Sequence, residues 1–459
     1  MEQERSTLRP SGAEGGSGED AARVPGLLRL FGGGGAMAVA FPLPGEGLEL
    51  GRGSAALGEA QDPRMSRRHA RIHHDGKRFW VTDLGSQNGT HADGEPVPPH
   101  TPREAQRVIR MGDSLFVPCQ DVRPFQRHGV ELVDGFVRGP AMRALLEEVA
   151  RAAQLGFSLH IHGESGAGKE GVARTFHQHG PRSDGPFVGV NCAAIPQSLA
   201  ERLLFGARKG AYSGADTDAQ GYLQAADGGT LFLDEVVELE LAVQAKLLRA
   251  LETREVLSLG ASKPKVVDVH ICSASNKDLR ALVAAGRLRE DLYFRIGRPE
   301  VHLPPMRQRP EEVPHLLQRE VKQVAPTLAL HVSLVEECLL RPWPGNVREL
   351  LVEARSAVQR ALLQGATRVE ARHLAASAGT AFGSTLPPQA TTEVQLPPRE
   401  PPPPSRGKAP EPGERERLEE ALRQHEGNVA ATARALGLHR TQLRRLLQRH
   451  GLAGGTEGE

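Results

Sequence analysis

The sequence predicts a multidomain chain: an all-β sandwich, an α/β domain built on a phosphate-binding loop with a helical lid, and an α-helical helix-turn-helix. Three observations predict it. Short apolar runs separated by turn residues fill residues 26–127. A glycine-rich turn, Gly163-Glu164-Ser165-Gly166-Ala167-Gly168-Lys169, stands between an apolar strand and a helical pattern. A proline-rich run then separates this block from a short helical segment whose last helix is basic.

Composition bounds the possibilities. A chain of 459 residues is too long for one core and suggests about three domains. The formal net charge of +1 supplies no global attraction to nucleic acid or membrane, so nucleic-acid binding must come from a local patch. Cys119, Cys192, Cys272 and Cys338 are scattered with no CxxC pair, which fits a reducing compartment and argues against a disulfide framework or zinc site. No apolar run reaches the roughly 18 residues of a membrane span, and the N-terminus lacks an apolar signal segment. The expected location is cytoplasmic, with no membrane partner.

Each element follows from local pattern. Residues 1–25 are polar and Gly/Ser-rich, and are expected to be disordered. The runs Leu27-Leu28-Arg29-Leu30-Phe31, Ala70-Arg71-Ile72, Arg78-Phe79-Trp80-Val81 and Leu115-Phe116-Val117 give the sandwich over 26–127. Over 133–375, strands at 158–162, 231–233 and 265–273 alternate with helical patterns such as 243–252, the signature of an α/β domain. The stretch 343–377 reads as its helical lid. Residues 380–412 form a proline-rich linker that favours extended geometry at ~3.1 Å per residue. It reads as a tether between domains; a docking site for a proline-binding module is the lesser reading. Residues 414–452 return to helical periodicity, with Asn428 placed to cap a helix and Gly437-Leu438 to turn the chain.

Several residues carry chemistry. The spacing of residues 163–169 lets backbone N–H groups cradle phosphates while Lys169 reaches the terminal ones. Glu170 follows, where a magnesium-binding Ser or Thr is usual. Mg²⁺ beside ATP would therefore rest on Asp234, water and the nucleotide. Asp234-Glu235 ends an apolar strand, the expected partner of a phosphate loop. Asp234 would hold the metal and Glu235 would polarise the attacking water. Between these two motifs lies Gly210-Ala211-Tyr212-Ser213-Gly214-Ala215, a loop tip with one aromatic and one hydroxyl among small residues. An aromatic exposed there points to a partner. His160, His162, His177 and His179 lack the spacing of a metal site.

Residues 135–375 resemble the AAA+ domain of bacterial enhancer-binding proteins, the activators of sigma-54 RNA polymerase. The matching segments are 163–170, 191–194, 204–215, 228–235, 275–279, 288–295 and 343–350. The resemblance implies ATP hydrolysis in an oligomeric ring, hexameric or similar. Gly163 to Glu170, Asn276 and Arg348 would bind ATP, with Asn276 sensing the γ-phosphate. Asn191 would act as a switch, holding Glu235 in an inactive or active pose. Arg289 and Arg295 would reach into the neighbouring subunit's site as arginine fingers; their bland alternative is intrachain pairing with Glu290 and Asp291. Residues 210–215 correspond to the family's sigma-54-contacting loop, usually GAFTGA and here GAYSGA.

Gly51-Arg52, Ser66-Arg67-Arg68-His69 and the run 83–90 resemble the forkhead-associated (FHA) domain, a reader of phosphothreonine peptides. Arg52, Ser66 and Arg67 would bind the phosphate and Asn88 the peptide backbone, with His69 bracing the loops. The C-terminal segment resembles a Fis-type domain, which implies dimeric binding to paired half-sites of an upstream DNA element. Arg440, Thr441, Gln442 and Arg444 are its base-edge candidates, and Arg445 and Arg449 its phosphate contacts. The expected function is an ATP-dependent activator that binds upstream DNA and remodels sigma-54 polymerase under phosphothreonine control. The alternatives are a phospho-regulated repressor or scaffold whose ATPase serves only assembly, and a remodeller of another substrate.

Overall fold

A computed structural model describes residues 23–381, apart from 55–56, 58–61, 134–135 and 213–215. It also describes 414–438 apart from 426–427, and the single positions 443, 446, 447, 450 and 452. The chain divides into two compact units, Met1–Leu386 and Pro387–Glu459.

The first unit begins with a sandwich of two antiparallel sheets. One has six strands in the order Gly35–Pro42, Gly26–Gly32, Ser114–Cys119, Ile109–Met111, Thr90–Ala92 and Glu95–Val97. The other has four, Leu48–Leu50, Ala70–His74, Phe79–Asp83 and Pro102–Glu104. Period-2 alternation is clean in Phe79–Asp83, where residues 79, 81 and 83 are buried. The strand Gly26–Gly32 breaks that rule, being buried at all seven positions. Leu27 faces the sandwich core with Phe41, Ile72 and Phe116. Leu28 and Leu30 instead join a second core with Leu316, Leu317, Val335 and Leu339 from the lid.

The α/β part is a five-stranded parallel sheet in the order Phe187–Asn191, Thr230–Asp234, His270–Ser275, Leu159–His162 and Glu300–His302. Its central strands Thr230–Asp234 and His270–Ser275 are buried along almost their whole length, as expected where helices cover both faces. The sequence expectation of one strand over 265–273 is corrected here. Lys265–Val266 pairs antiparallel with Glu255–Val256, and the sheet strand is His270–Ser275. Two bonds divide them: Val267 N–H donates to Arg254 O at 2.8 Å and Asp268 N–H to Asp227 Oδ1 at 2.9 Å.

The lid starts well before residue 343. Helices Val313–Val324, Val332–Leu340 and Asn346–Leu363 pack together, tied by the short parallel strands Ala329–Leu330 and Arg368–Val369. Pro310 and Pro314 lie at helix starts, where a missing N–H costs nothing.

In the second unit, helices Glu414–Gln424 and Val429–Ala435 bury Leu418 and Ala433 against Leu443 and Leu447. Asn428 Oδ1 accepts from Ala431 N–H at 3.2 Å, the expected cap, and Gly437 turns the chain at φ +66°.

Candidate functional site

Sheet register assembles the nucleotide site. Asn191 lies beside Asp234, Asp234 beside Ala274, and His162 beside Ser275. The phosphate loop, the acidic pair and Asn276 therefore emerge at one carboxyl edge, where open α/β sheets place ligands. Gly168 caps the helix Lys169–His179 in left-handed backbone (φ +110°).

Lys169 is 6% exposed, and a buried ammonium needs partners. Its Nζ donates to Gly163 O and Glu235 Oε1, both at 3.1 Å, and lies 3.9 Å from Asp234 Oδ1. Asn276 N–H donates to Glu235 Oε2 at 3.3 Å. Burial raises the Asp234 carboxyl above its ordinary range, against the pull of Lys169. Its Oδ1 is buried without a hydrogen-bond donor among the described residues. A buried oxygen left over beside a phosphate loop suits a hard divalent cation held jointly with nucleotide phosphates. Glu170 pairs outward with Arg174 at 2.6 Å and leaves this role to Asp234.

Other predicted residues stand apart from that cluster. Asn191 Oδ1 accepts from Ala193 N–H at 3.0 Å and does not bond Glu235. Arg348 Nη1 donates to Ser165 Oγ at 3.4 Å. Arg289 makes a two-point pair with Asp291, at 3.0 and 2.7 Å. Arg295 donates to Leu251 O at 2.9 Å. Among the described residues, neither arginine bonds the acidic pair of its own chain.

An antiparallel bridge joins Ala207 and Ala219 on either side of the predicted contact loop. Lys209 N–H donates to Asp218 Oδ1 at 2.8 Å, and Gly210 turns at φ +80°. Tyr212 is 39% exposed, with the Arg202 guanidinium 5.3 Å from its ring centre. Ser213, Gly214 and Ala215 lie outside the described residues.

On the sandwich, Gly51 is demanded by packing, since a Cβ there would meet Arg67 O at 2.0 Å. Arg52 N–H donates to Ser66 O at 2.9 Å. Ser66 Oγ accepts from Gln87 N–H at 3.0 Å, and Asn88 Nδ2 donates to Arg64 O at 2.7 Å. Arg67 and Asn88 are exposed, and neither Arg52 nor Arg67 has an ion pair among the described residues. Fully buried His69 braces these loops, accepting from Ser66 N–H at 3.0 Å and meeting Gly89 O at 3.1 Å. Asp83, missed as a site-shaping residue, accepts from Gly85 N–H, Ser86 N–H, Ser86 Oγ and Thr90 Oγ1. Its place in the run 83–90 was the available signal. Arg440, Thr441, Gln442, Arg444, Arg445 and Arg449 lie outside the described residues. Among the described residues, no helix is long and apolar enough to cross a membrane.

Comparison with known proteins finds three domains along the chain. Residues 136–302 match the sigma-54 interaction domain, 48–112 the FHA domain and 409–450 the bacterial regulatory protein Fis family. The chain is 47% identical over 216 residues to the response regulator protein PilR of Pseudomonas aeruginosa, covering 46% of this chain and 48% of PilR. It is 38% identical over 342 residues to the regulatory protein LuxO of Vibrio cholerae, covering 72% of this chain and 63% of LuxO. The crystal structure of NtrX from Brucella abortus is similar at 31% identity and a TM-score of 0.49, covering 68% of each chain. The chain spans about half the length of the response regulators it matches. With an FHA domain, a sigma-54 interaction domain of the AAA+ ATPase class and a Fis-family DNA-binding domain in one chain, the protein belongs to the family of sigma-54-dependent regulators.

Proposed function

We propose that this protein hydrolyses ATP between subunits of a ring and uses the stroke to remodel sigma-54 RNA polymerase, from an upstream DNA element and under phosphothreonine control. The observation that carries the reading is the meeting of Lys169 with Glu235 and Asp234 at the mouth of the phosphate loop. The backbone of residues 163–170 binds the ATP phosphates, and Lys169 follows the terminal ones. That movement takes its ammonium from Glu235, whose carboxylate then accepts a proton from the attacking water. The water oxygen bonds to the γ-phosphorus as the bond to the β,γ-bridging oxygen breaks in line, giving ADP and phosphate. Asp234 holds Mg²⁺, which offsets phosphate charge when bound. Asn276 senses the γ-phosphate, Asn191 sets the pose of Glu235, and Arg348 contacts nucleotide from the lid.

Arg289 and Arg295 act on the neighbouring subunit's phosphates. Their single-chain contacts are with one exposed carboxylate and one backbone carbonyl, both exchangeable for a phosphate at modest cost. Residues 210–215 deliver the stroke to sigma-54. Arg52, Ser66, Arg67 and Asn88 read the phosphothreonine peptide, and the C-terminal domain dimerises on DNA through Arg440, Thr441, Gln442, Arg444, Arg445 and Arg449. The domains are taken as 26–127, 133–375 and 414–452. Tyr212 and Ser213 depart from the family's usual loop pair, and this favours a second reading: a repressor or scaffold whose ATPase serves only assembly.

Mixing two inactive variants tests the shared site. Glu235→Gln and Arg289→Ala should each lower kcat by roughly 10²-fold or more. Mixed, they should regain measurable turnover, because some interfaces pair an intact Glu235 with an intact Arg289. No recovery on mixing, with both proteins assembled, contradicts hydrolysis between subunits.

A further inference from the structure

We propose that Asn346, with Arg307 and Arg309, positions the phosphate loop by bonding it from behind to the root of the lid. This inference rests on the ATP-binding reading of residues 163–170. Four successive residues of the loop, Glu164 to Ala167, are tied to this root. Asn346 Nδ2 donates to Glu164 Oε2 at 3.0 Å and to Ser165 O at 3.1 Å. Arg348 N–H donates to Gly166 O at 3.3 Å, and Arg309 Nη2 to Ala167 O at 3.1 Å. Arg307 grips the Glu164 carboxylate at two points, 2.9 and 2.7 Å.

The directions of these bonds matter. Three successive carbonyls, those of residues 165–167, are drawn toward the lid root. Peptides turned this way leave the Gly166 and Gly168 N–H groups for the opposite, phosphate side, as in an anion-binding nest, while Ala167 N–H donates to Glu164 O at 3.3 Å and holds the turn. Asn346 is built for the task. It is fully buried and sits in left-handed backbone at φ +53°, which Asn tolerates better than most residues. Its Oδ1 accepts from Met306 N–H at 2.8 Å, so the amide needs both its acceptor and its donors. Arg309 is 2% exposed and anchored by Glu312 at 2.8 Å. A Cβ on Gly166 would meet Gly345 O at 2.2 Å, so loop and root touch backbone to backbone. Nucleotide affinity and lid pose are thereby one property.

Binding of a fluorescent ADP analogue to the full chain tests this without relying on hydrolysis. Asn346→Asp keeps size, backbone tolerance and the acceptor, but loses both donated bonds and sets a second carboxylate against Glu164. Arg307→Ala removes an exposed side chain and leaves the core intact. The expected loss of affinity is roughly 10- to 100-fold for Asn346→Asp and roughly 3- to 10-fold for Arg307→Ala. Arg307→Lys should retain part of the loss in Arg307→Ala. Combining Asn346→Asp with Glu164→Gln restores a donor across the pair and should recover part of the affinity. The KM for ATP should rise while kcat changes less than about 2-fold. Affinities for Arg307→Ala within about 2-fold of wild type, or no recovery in the double variant, would overturn the inference. A wild-type protein that binds no nucleotide would instead sink the ATPase reading itself.

Discussion

Arg67 and Lys169 show how differently two cations are held in one chain. Lys169 is enclosed, paired with two carboxylates and a carbonyl at the carboxyl edge of a parallel sheet. Arg67 stands exposed on a sandwich loop without an ion pair among the described residues. A dianionic phosphate that meets Arg67 gains charge-assisted bonds without first breaking one. Arg67→Ala should therefore weaken binding of a phosphothreonine peptide by at least about 10-fold, measured by fluorescence anisotropy, with the unfolding midpoint unchanged. An unaltered affinity would move the phosphate site elsewhere. Both residues were legible in the sequence because their motifs fix the backbone around them. Asn346 was not singled out, although it lies inside a matched segment. Its role depends on a loop some 180 residues upstream, and no local pattern encodes that meeting.

Elements that touch two neighbours were the hardest to read. The run Leu27-Leu28-Arg29-Leu30-Phe31 announces a strand, but its lack of alternation carried a second message. Both faces are covered, one by the sandwich core and the other by lid helices. The lid's early start was obscured in the same way, since helix Val313–Val324 spends its apolar stripe partly on the sandwich. The split of 265–273 has no sequence signal, because Val266, Val267, Val269 and Ile271 run through it with no Gly or Pro between the two strands. Polar contacts close the seam between sandwich and lid. Arg110 pairs with Glu336 at 2.7 Å, Ala36 N–H donates to Gln318 Oε1 at 2.7 Å, and Arg107 Nη2 donates to Leu339 O at 3.2 Å. Burial raises the Glu336 carboxyl while Arg110 pulls it down. The pair is half-sheltered, so Arg110→Glu should cost about 1–3 kcal/mol in urea unfolding. Adding Glu336→Arg should restore about half of it. A sandwich that unfolds well before the lid in the unaltered protein would contradict a shared core.

At the scale of the whole molecule, the sandwich and the nucleotide site both contact the same lid. The six-stranded sheet packs on the lid helices, while Asn346 and Arg348 reach from the lid to the phosphate loop. The loops bearing Arg67 and Asn88 stay exposed in this arrangement, so a peptide can bind without prising the sandwich from the lid. Fold class and nucleotide site were readable because strand–loop–helix order sets the sheet edge, and the sheet edge gathers the residues. What the machine acts on rests on the 210–215 loop, where Tyr212 stands exposed beside Arg202. The direct test is open-complex formation by sigma-54 RNA polymerase at a promoter in vitro, with ATP, comparing the unaltered protein with Tyr212→Ala. The account predicts ATP-dependent opening by the unaltered protein. Tyr212→Ala should lose that opening by roughly 10-fold or more, with ATP turnover kept within about 2-fold. Robust ATP turnover and DNA binding by the unaltered protein with no promoter opening would contradict it.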